Sequence, residues 1–533
     1  MTRQVPAYFQ PTPIALGMAG FAIALSLAAC GGGNDDDTPQ PPVNQVKAAC
    51  LALPGQALSD AKVTATKWYD ADAALGTPGL CQVLATRAPY LDMEVVVPDG
   101  WSGRLWQQGG GGFDGSIPSA LTLDAAGHLT ALNLAVQKYG AVYAASNGGN
   151  RSMVPDQAGP LVFVNGTPEG AQSAKDFAYA SLDTTQQVAR AVVSKFFAQS
   201  PKYSYFNGCS NGGRNAYIAA ERWPDRYDGI VSGCEGMDMA GQTAAWMDMA
   251  RRVGTPAMPS QAQWTATYQA ALAACDGLDG VQDGIINNAA ACHFDVASQA
   301  CGAAGASADP SVCLSPAQLQ TVQDLLGDMK GPSGEKVYTG YGWANWSAPT
   351  YGRLGGGFMA LATGDSAWVT SPAKQASYTV ASDYALTAAS LNAIGADHHK
   401  PAIAAYIASG KKLLHWHDGA DNLLSWRDHV HNVEAMHALA QQAGLKNPAD
   451  NSRMFIVPGT SHAGGNPLTV VDWAGAITAW VEKGQAPAQL TVNLPKASPA
   501  RTLPVCPYTA YPQYSGSGDV NLAASYRCVD NAP

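Results

Sequence analysis

The segment YSYFNGCSNGGRNAYIAAERW, residues 203–223, constrains the fold more than any other part of the chain. An apolar stretch, 203–209, has strand character and runs into Gly208-Cys209-Ser210-Asn211-Gly212; a helical pattern, 214–223, follows. G-x-S-x-G between a strand and a helix is a tight turn that lifts a serine above the carboxyl end of a parallel sheet. The flanking glycines allow the backbone to crowd there. Ser210 is the candidate nucleophile, and the rest of the chain must supply the sheet.

It does so by alternation. Strands are expected at 103–112, 141–149, 227–233, 411–419 and 453–459, with a helix at 181–198 that carries Leu182, Val188, Ala189, Val192, Val193, Phe196 and Phe197 at helical spacing. Such alternation predicts an α/β fold whose mostly parallel sheet is covered by helices on both faces. Between about 235 and 405 the rhythm breaks into an Ala-, Gly-, Ser- and aromatic-rich stretch, too long for a loop. It is expected to be an inserted lid domain that divides the core into 46–234 and 406–533.

Of the 533 residues, 47% are hydrophobic and 14% charged, so most of the chain can bury a core. A net charge of −10 without a Lys/Arg cluster argues against nucleic acid as a partner. Residues 1–30 read as a signal peptide: Arg3, an apolar run and Leu27-Ala28-Ala29-Cys30, a lipobox-like end in which Cys30 would be lipidated. Residues 31–45, rich in Gly, Asp and Pro, read as a tether. No other apolar run approaches a membrane span. The expected product is exported and monomeric, reaching a membrane only through the anchor. Setting Cys30 aside, the eleven cysteines leave ten, an even number that suggests pairing in an exported chain.

Serine needs a base, and the base an orienting carboxylate, in the chain order Ser, Asp/Glu, His. The turn HDGADN (417–422) offers Asp418 and Asp421; VPGTSHAGG (457–465) offers His462 among small residues. His429 and His431 do not share a helix face, and His398–His399 falls in the lid, so a histidine metal site is not expected. The amide of Asn211 and one from Gly109–Gly112 could face the oxyanion. The glycine run lacks the lysine of a phosphate-binding loop. Asp276, Asp279 and Asp283 in CDGLDGVQDGIINNAAAC (275–292) repel one another unless a hard cation lies between them; a calcium site and a solvated acidic turn both remain open on chemistry alone.

KDFAYASL (175–182), PKYSYFNGCSNGGR (201–214), RYDGIVSG (226–233), CDGLDGVQDGI and CPY…YSGSGDVN (506–521) together resemble the tannase and feruloyl esterase group of α/β-hydrolases, which includes mono(2-hydroxyethyl) terephthalate hydrolases. The resemblance covers most of the mature chain. It implies a Ser210–Asp421–His462 triad, with Asp418 in reserve as the acid, and an oxyanion hole from the amides of Gly112 and Asn211. It also implies Ca²⁺ held by Asp276, Asp279 and Asp283 with the carbonyls of Val281 and Ile285.

The chain departs from the family at one telling position. Relatives join the cysteine before the nucleophile to a cysteine directly after the catalytic histidine; here that residue is Ala463. Cys234, where the family more often has an Ala-Pro turn, is the expected replacement. The full set is then Cys50–Cys81, Cys209–Cys234, Cys275–Cys292, Cys301–Cys313 and Cys506–Cys528.

The resemblance implies a serine carboxylesterase acting on esters of aromatic acids, feruloyl or galloyl in type. The alternatives are an esterase of aliphatic, hydroxyalkanoate or terephthalate monoester substrates, or a non-catalytic surface protein binding phenolics or glycans. Trp343, Trp346, Trp368, Tyr351, Tyr378 and Tyr384 of the lid are candidates to stack on an aromatic acyl group, and Arg353 does not match the arginine expected of terephthalate recognition.

Overall fold

The computed structural model describes residues 42–531 except 152–165, 347–350, 466–469, 496 and 498. The expected signal peptide, Cys30 and most of the tether lie outside the described residues. The last part of that tether, 43–45, belongs instead to the helix Val43–Ala52. Its Val46 and Cys50 are fully buried, and Cys50 is bonded to Cys81, which anchors the helix to the sheet.

Ten strands form one sheet: β1 (Ala57–Leu58), β2 (Ala61–Tyr69), β3 (Leu80–Arg87), β4 (Leu91–Pro98), β5 (Arg104–Gln108), β6 (Val142–Ser146), β7 (Tyr203–Cys209), β8 (Gly229–Gly233), β9 (Lys412–Asp418) and β10 (Ser452–Val457). Their order is β1-β2-β3-β4-β6-β5-β7-β8-β9-β10. The six strands from β6 to β10 are parallel to one another, and β4 runs antiparallel to β3 and β6. This is an α/β-hydrolase fold.

Both faces are buried because successive residues alternate sides. On β7, Tyr205 joins a cluster with Trp106, Val231, Leu414 and Trp473, while Phe206 joins another with Ile218, Ile230 and Leu413. The helix Trp473–Lys483 covers the first face; Asn211–Arg222, Lys400–Ala408 and Trp426–Gln442 cover the second. The helix Ser181–Phe197 buries Val188, Val192, Val193 and Phe196 against the β2–β4 end. Each such side chain contributes about 1.5–3 kcal/mol when fully buried. The helix stops at Ala198, whose φ of 54° is left-handed.

Residues between β8 and β9 form a helical layer. Two of its helices, Met239–Ala250 and Tyr351–Thr363, pack closely because the latter carries Gly355, Gly356 and Gly357. A Cβ on Gly355 would strike Met247, and one on Gly357 would strike the Phe113 ring. Mid-helix glycine costs about 1 kcal/mol relative to alanine, a cost set here against close approach. The helix Lys400–Ala408 crosses the boundary expected at 405. Its Ile403 and Ile407 pack with Ala216 and Ala220 under the sheet, so the core layer resumes with this helix.

Candidate active site

The turn after β7 holds Ser210 at φ 61°, ψ −124°, outside the regions that side chains other than glycine usually adopt. Strain of this kind costs about 1–3 kcal/mol and persists only where neighbours enforce it. Enforcement is visible. The Ser210 amide donates to the carbonyls of Gly233 and Cys234 at 3.1 Å each. Cys209 is bonded to Cys234, tying the end of β7 to the residue after β8. A Cβ on Gly208 would overlap the carbonyl of Gly212, so the turn closes only with glycine at 208. The other four disulfides are Cys50–Cys81, Cys275–Cys292, Cys301–Cys313 and Cys506–Cys528.

Ser210 Oγ lies 3.1 Å from Nε2 of His462, and Nδ1 of His462 lies 2.7 Å from Oδ2 of Asp421. Strands β9 and β10 bring these residues together, since each leads into one of the two turns. Oδ1 of Asp421 accepts the amides of Leu423 (2.8 Å) and Leu424 (2.9 Å). The side chains of Trp246, Tyr341 and Tyr351 donate to the carbonyls of Leu423 and Asn422, so the helical layer also fixes this turn. Asp418 is not the histidine's partner: its Oδ1 accepts the Gly465 amide at 2.8 Å.

Charge follows geometry. Burial raises the Asp421 carboxyl, but the charge of His462 and hydrogen bonds from His417 and His462 outweigh it and hold the group well below the usual carboxylate range. Burial lowers His462, yet Asp421 overcomes this and raises it above ordinary imidazole. Asp418, buried and beside the Asp421 charge, is pushed up to about 6. One carboxylate is thus kept ionised beside the His462 imidazole.

Gly112 and Asn211 line the same cavity as Ser210 and His462. The Asn211 amide is at the first helical position, where an N–H has no intrahelical acceptor. The Asn211 side chain is held between Asp114, which accepts from its Nδ2, and Arg214, whose Nε donates to its Oδ1 at 2.8 Å. Burial pushes Asp114 up to about 7, with the Asn211 bond and Arg214 opposing.

The cavity is about 210 Å³ and is walled by Phe113, Met239, Trp246, Leu354, Phe358 and Leu424. Phe113 and Phe358 meet edge to face at 4.6 Å. None of the six lid aromatics expected to stack on substrate lines it among the described residues: Trp346, Trp368, Tyr351 and Tyr378 are buried in packing, and Trp343 borders a different cavity. The aromatic walls come instead from the residue after Gly112, from the helix after Cys234 and from the residue after the triple glycine. Arg214 is the one Lys or Arg lining the cavity among the described residues. Its donors all go to protein oxygens: those of Asn211, Ala178, Ala396, Phe177 and Asn215.

Asp276, Asp279 and Asp283 sit in one turn system, buried on their side chains or nearly so. Asp276 Oδ1 accepts the amides of Asp283 and Ile285, Asp279 accepts from Val281 and Asn287, and Asp283 Oδ2 accepts from Arg501 and Tyr526. Among the described residues no three His, Cys, Asp or Glu side chains converge tightly enough to enclose a metal alone. The donor chemistry nevertheless suits a hard cation: all oxygen, buried and mutually repulsive. Burial, then repulsion from Asp283 and Asp276, pushes Asp279 up to about 6 against its hydrogen bonds.

A model of the tannase and feruloyl esterase family matches residues 74–393 and 387–529. A mono(2-hydroxyethyl) terephthalate hydrolase of Piscinibacter sakaiensis is 30% identical over 546 residues, covering 88% of each chain. A probable feruloyl esterase of Arthroderma benhamiae is 27% identical over 454 residues, covering 81% of each. The crystal structure of feruloyl esterase B from Aspergillus oryzae superposes with a TM-score of 0.75 at 21% identity, over 91% of this chain and 100% of that one.

Proposed function

The chain belongs to the tannase and feruloyl esterase family and is a carboxylic ester hydrolase; we propose that it is an exported serine esterase of aromatic acid esters, with Ser210, His462 and Asp421 as its triad. The observation that carries this reading is the Ser210–His462–Asp421 line of hydrogen bonds opening into a cavity walled by Phe113, Trp246 and Phe358.

Ser210 Oγ attacks the ester carbonyl while Nε2 of His462 takes its proton. Asp421 holds the imidazole with Nδ1–H toward itself and stabilises the imidazolium. The amides of Gly112 and Asn211 receive the oxyanion, and His462 returns the proton to the leaving alcohol. Water then repeats the sequence on the acyl-enzyme.

The acyl group is assigned from size and charge. A cavity of about 150 Å³ lined by apolar side chains takes a benzene ring, so one phenyl ring fits a cavity of about 210 Å³. Arg214 has no donor left over for a second carboxylate, which favours a hydroxycinnamate or gallate over a terephthalate monoester. Initial rates on methyl ferulate, methyl gallate, mono(2-hydroxyethyl) terephthalate and p-nitrophenyl butyrate test this. Preference for ferulate or gallate supports it; turnover of the butyrate ester alone would refute the aromatic assignment while leaving the triad intact.

Calcium belongs to the same reading. Asp276, Asp279 and Asp283, with the carbonyls of Val281 and Ile285, would hold the ion, which supplies positive charge to a buried acidic turn. Export is supported by the five disulfides. Lipidation at Cys30 is the proposed route to a membrane surface; among the described residues no helix is long and apolar enough to cross one.

A further inference from the structure

Asp421 has a second histidine partner. His417 Nε2 lies 3.1 Å from the same Oδ2 that His462 engages. From there a chain of hydrogen bonds runs through the interior: His417 Nδ1 to His429 Nδ1 (3.0 Å), His429 Nε2 to Tyr217 Oη (2.8 Å), Tyr217 Oη to His415 Nδ1 (2.6 Å), His415 Nε2 to Ser452 Oγ (2.7 Å) and Ser452 Oγ to His437 Nε2 (2.8 Å). His417, His429, Tyr217, His415 and Ser452 are buried.

The proton positions follow from the ionised carboxylate taken together with uncharged imidazole rings. Ionised Asp421 accepts only, so His417 must donate from Nε2. A neutral His417 then accepts at Nδ1, which makes His429 a donor at Nδ1 and an acceptor at Nε2. Tyr217 must donate to His429 and accept from His415 Nδ1–H. Ser452 donates to His415 and accepts from His437. Every hydrogen points toward Asp421, and each ring is left with one tautomer. Burial drives His415 and His429 well below ordinary imidazole, in keeping with neutral rings.

We propose that His417 is a positioning residue for the catalytic carboxylate, its tautomer locked by the buried His429–Tyr217–His415–Ser452 chain. His417 supplies a fourth donor to Asp421, beside the two turn amides and His462. By sharing Oδ2 it limits how strongly Asp421 stabilises the His462 imidazolium. The proposal rests on the triad reading above.

Other ionisable groups facing the chain are few. Asp418 and His462 stand near His417 through Asp421; Glu235 Oε1 is 3.8 Å from His429 Nε2 and its carboxyl is raised by burial. Asp428 acts on Glu235 from the helix that carries His429. His398 packs edge to face on Tyr217 at 5.8 Å, itself 3.6 Å from Glu221. At 3.8 Å, Glu235 lies beyond hydrogen-bond reach of His429 Nε2 and leaves the direction of the chain unchanged.

The first test is nitrogen-15 NMR of histidine-labelled wild-type protein. The expected result is His417 protonated at Nε2 only and His429 at Nδ1 only; His417 protonated at Nδ1, or doubly, overturns the proposal without any variant having to fold. The second is the pH profile of kcat/KM. His417→Phe should lower kcat/KM by about 10–100-fold, by analogy with the loss of the hydrogen-bond partners that orient metal ligands. It should also move the acid limb up by about half a unit or more, since the remaining Asp421 charge then acts on His462 alone. His417→Gln, which can keep an N–H near Oδ2, should restore most of both. An unmoved acid limb in His417→Phe, with activity scaled to fluorophosphonate-titrated sites, would reduce His417 to packing and overturn the proposal. Failure of wild-type Ser210 to react with the fluorophosphonate would sink the triad reading instead, leaving the tautomer result to stand by itself.

Discussion

The sulfur of Cys209 is bonded to that of Cys234, so the residue before Ser210 is fastened to the end of the neighbouring strand rather than to the histidine turn. His462 therefore sits on a turn not covalently tied to the elbow. The bond closes a separation of 25 residues. Its loss should cost about 3–4 kcal/mol on the chain-entropy account. The double variant Cys209→Ala/Cys234→Ala should lower the thermal midpoint and also kcat, because Ser210 loses support for its strained φ. Cys301→Ala/Cys313→Ala should lower the midpoint alone. Equal kcat in both double variants would show that the elbow does not need the bond.

The acid of the triad can be assigned by exchange of one atom. Asp421→Asn should lower kcat about 10⁴-fold, because an amide favours the wrong histidine tautomer. Asp418→Asn should cost less than about tenfold, since its contact is an accepted amide of Gly465 that asparagine can still accept. Steady-state rates on one ester with both variants decide the matter.

Activity and stability should respond to pH in opposite senses at His462. Its folded pKa is raised above the ordinary imidazole value, first against burial and then by Asp421. As the proposed base His462 works only when neutral, so kcat/KM should rise through a limb lying above about pH 6.5. Its contribution to stability is complete below the unfolded pKa and is lost as pH rises through the folded one. Asp421 is depressed, so its contribution is present above about pH 4 and is lost on acidification. Rate profiles and denaturation midpoints between pH 3 and 9 check both signs.

Phe358→Ala removes an aromatic wall facing Phe113. Stability should fall by about 3–5 kcal/mol, as for buried aromatic truncations. Of the remaining folded enzyme, kcat/KM on an aromatic acid ester should fall about 10–100-fold, with a smaller loss on the butyrate ester. Equal losses on both esters would place Phe358 outside acyl recognition.

Calcium removal should expose the acidic turn's repulsion. Chelation should lower the thermal midpoint of the wild type, by the equivalent of about 2.7 kcal/mol if free calcium had stood at a hundred times its dissociation constant. Asp279→Asn should blunt that response. A midpoint indifferent to chelator and to added calcium would remove the ion from the account and leave the amides, Arg501 and Tyr526 as the turn's own support.

The sheet strands that carry the site were legible because each is an apolar run ending in a polar turn. The elbow, HDGADN and VPGTSHAGG fell at strand ends, and chain order alone paired them. What stayed hidden is tertiary. Periodicity does not say that Gly355–Gly357 draw one helix onto another, so Phe358 and Phe113 became walls without a sequence signal. The partner of Cys209 was legible only through a departure, Ala463 in place of a cysteine. His417 sits inside the motif that supplied Asp421, yet four residues along a strand and turn say nothing of a shared oxygen. The start of the helix Lys400–Ala408, up to residue 405, read as lid because it continues the Ala-rich composition that precedes it.

The most direct measurement is mass spectrometry of the protein after treatment with a fluorophosphonate, with peptide mapping of the adduct, beside turnover of methyl ferulate. A working Ser210 gives one adduct per chain, on Ser210, loss of turnover in step with labelling, and neither label nor turnover in Ser210→Ala. Turnover that survives in Ser210→Ala, or a label on another residue, would contradict Ser210 as the nucleophile.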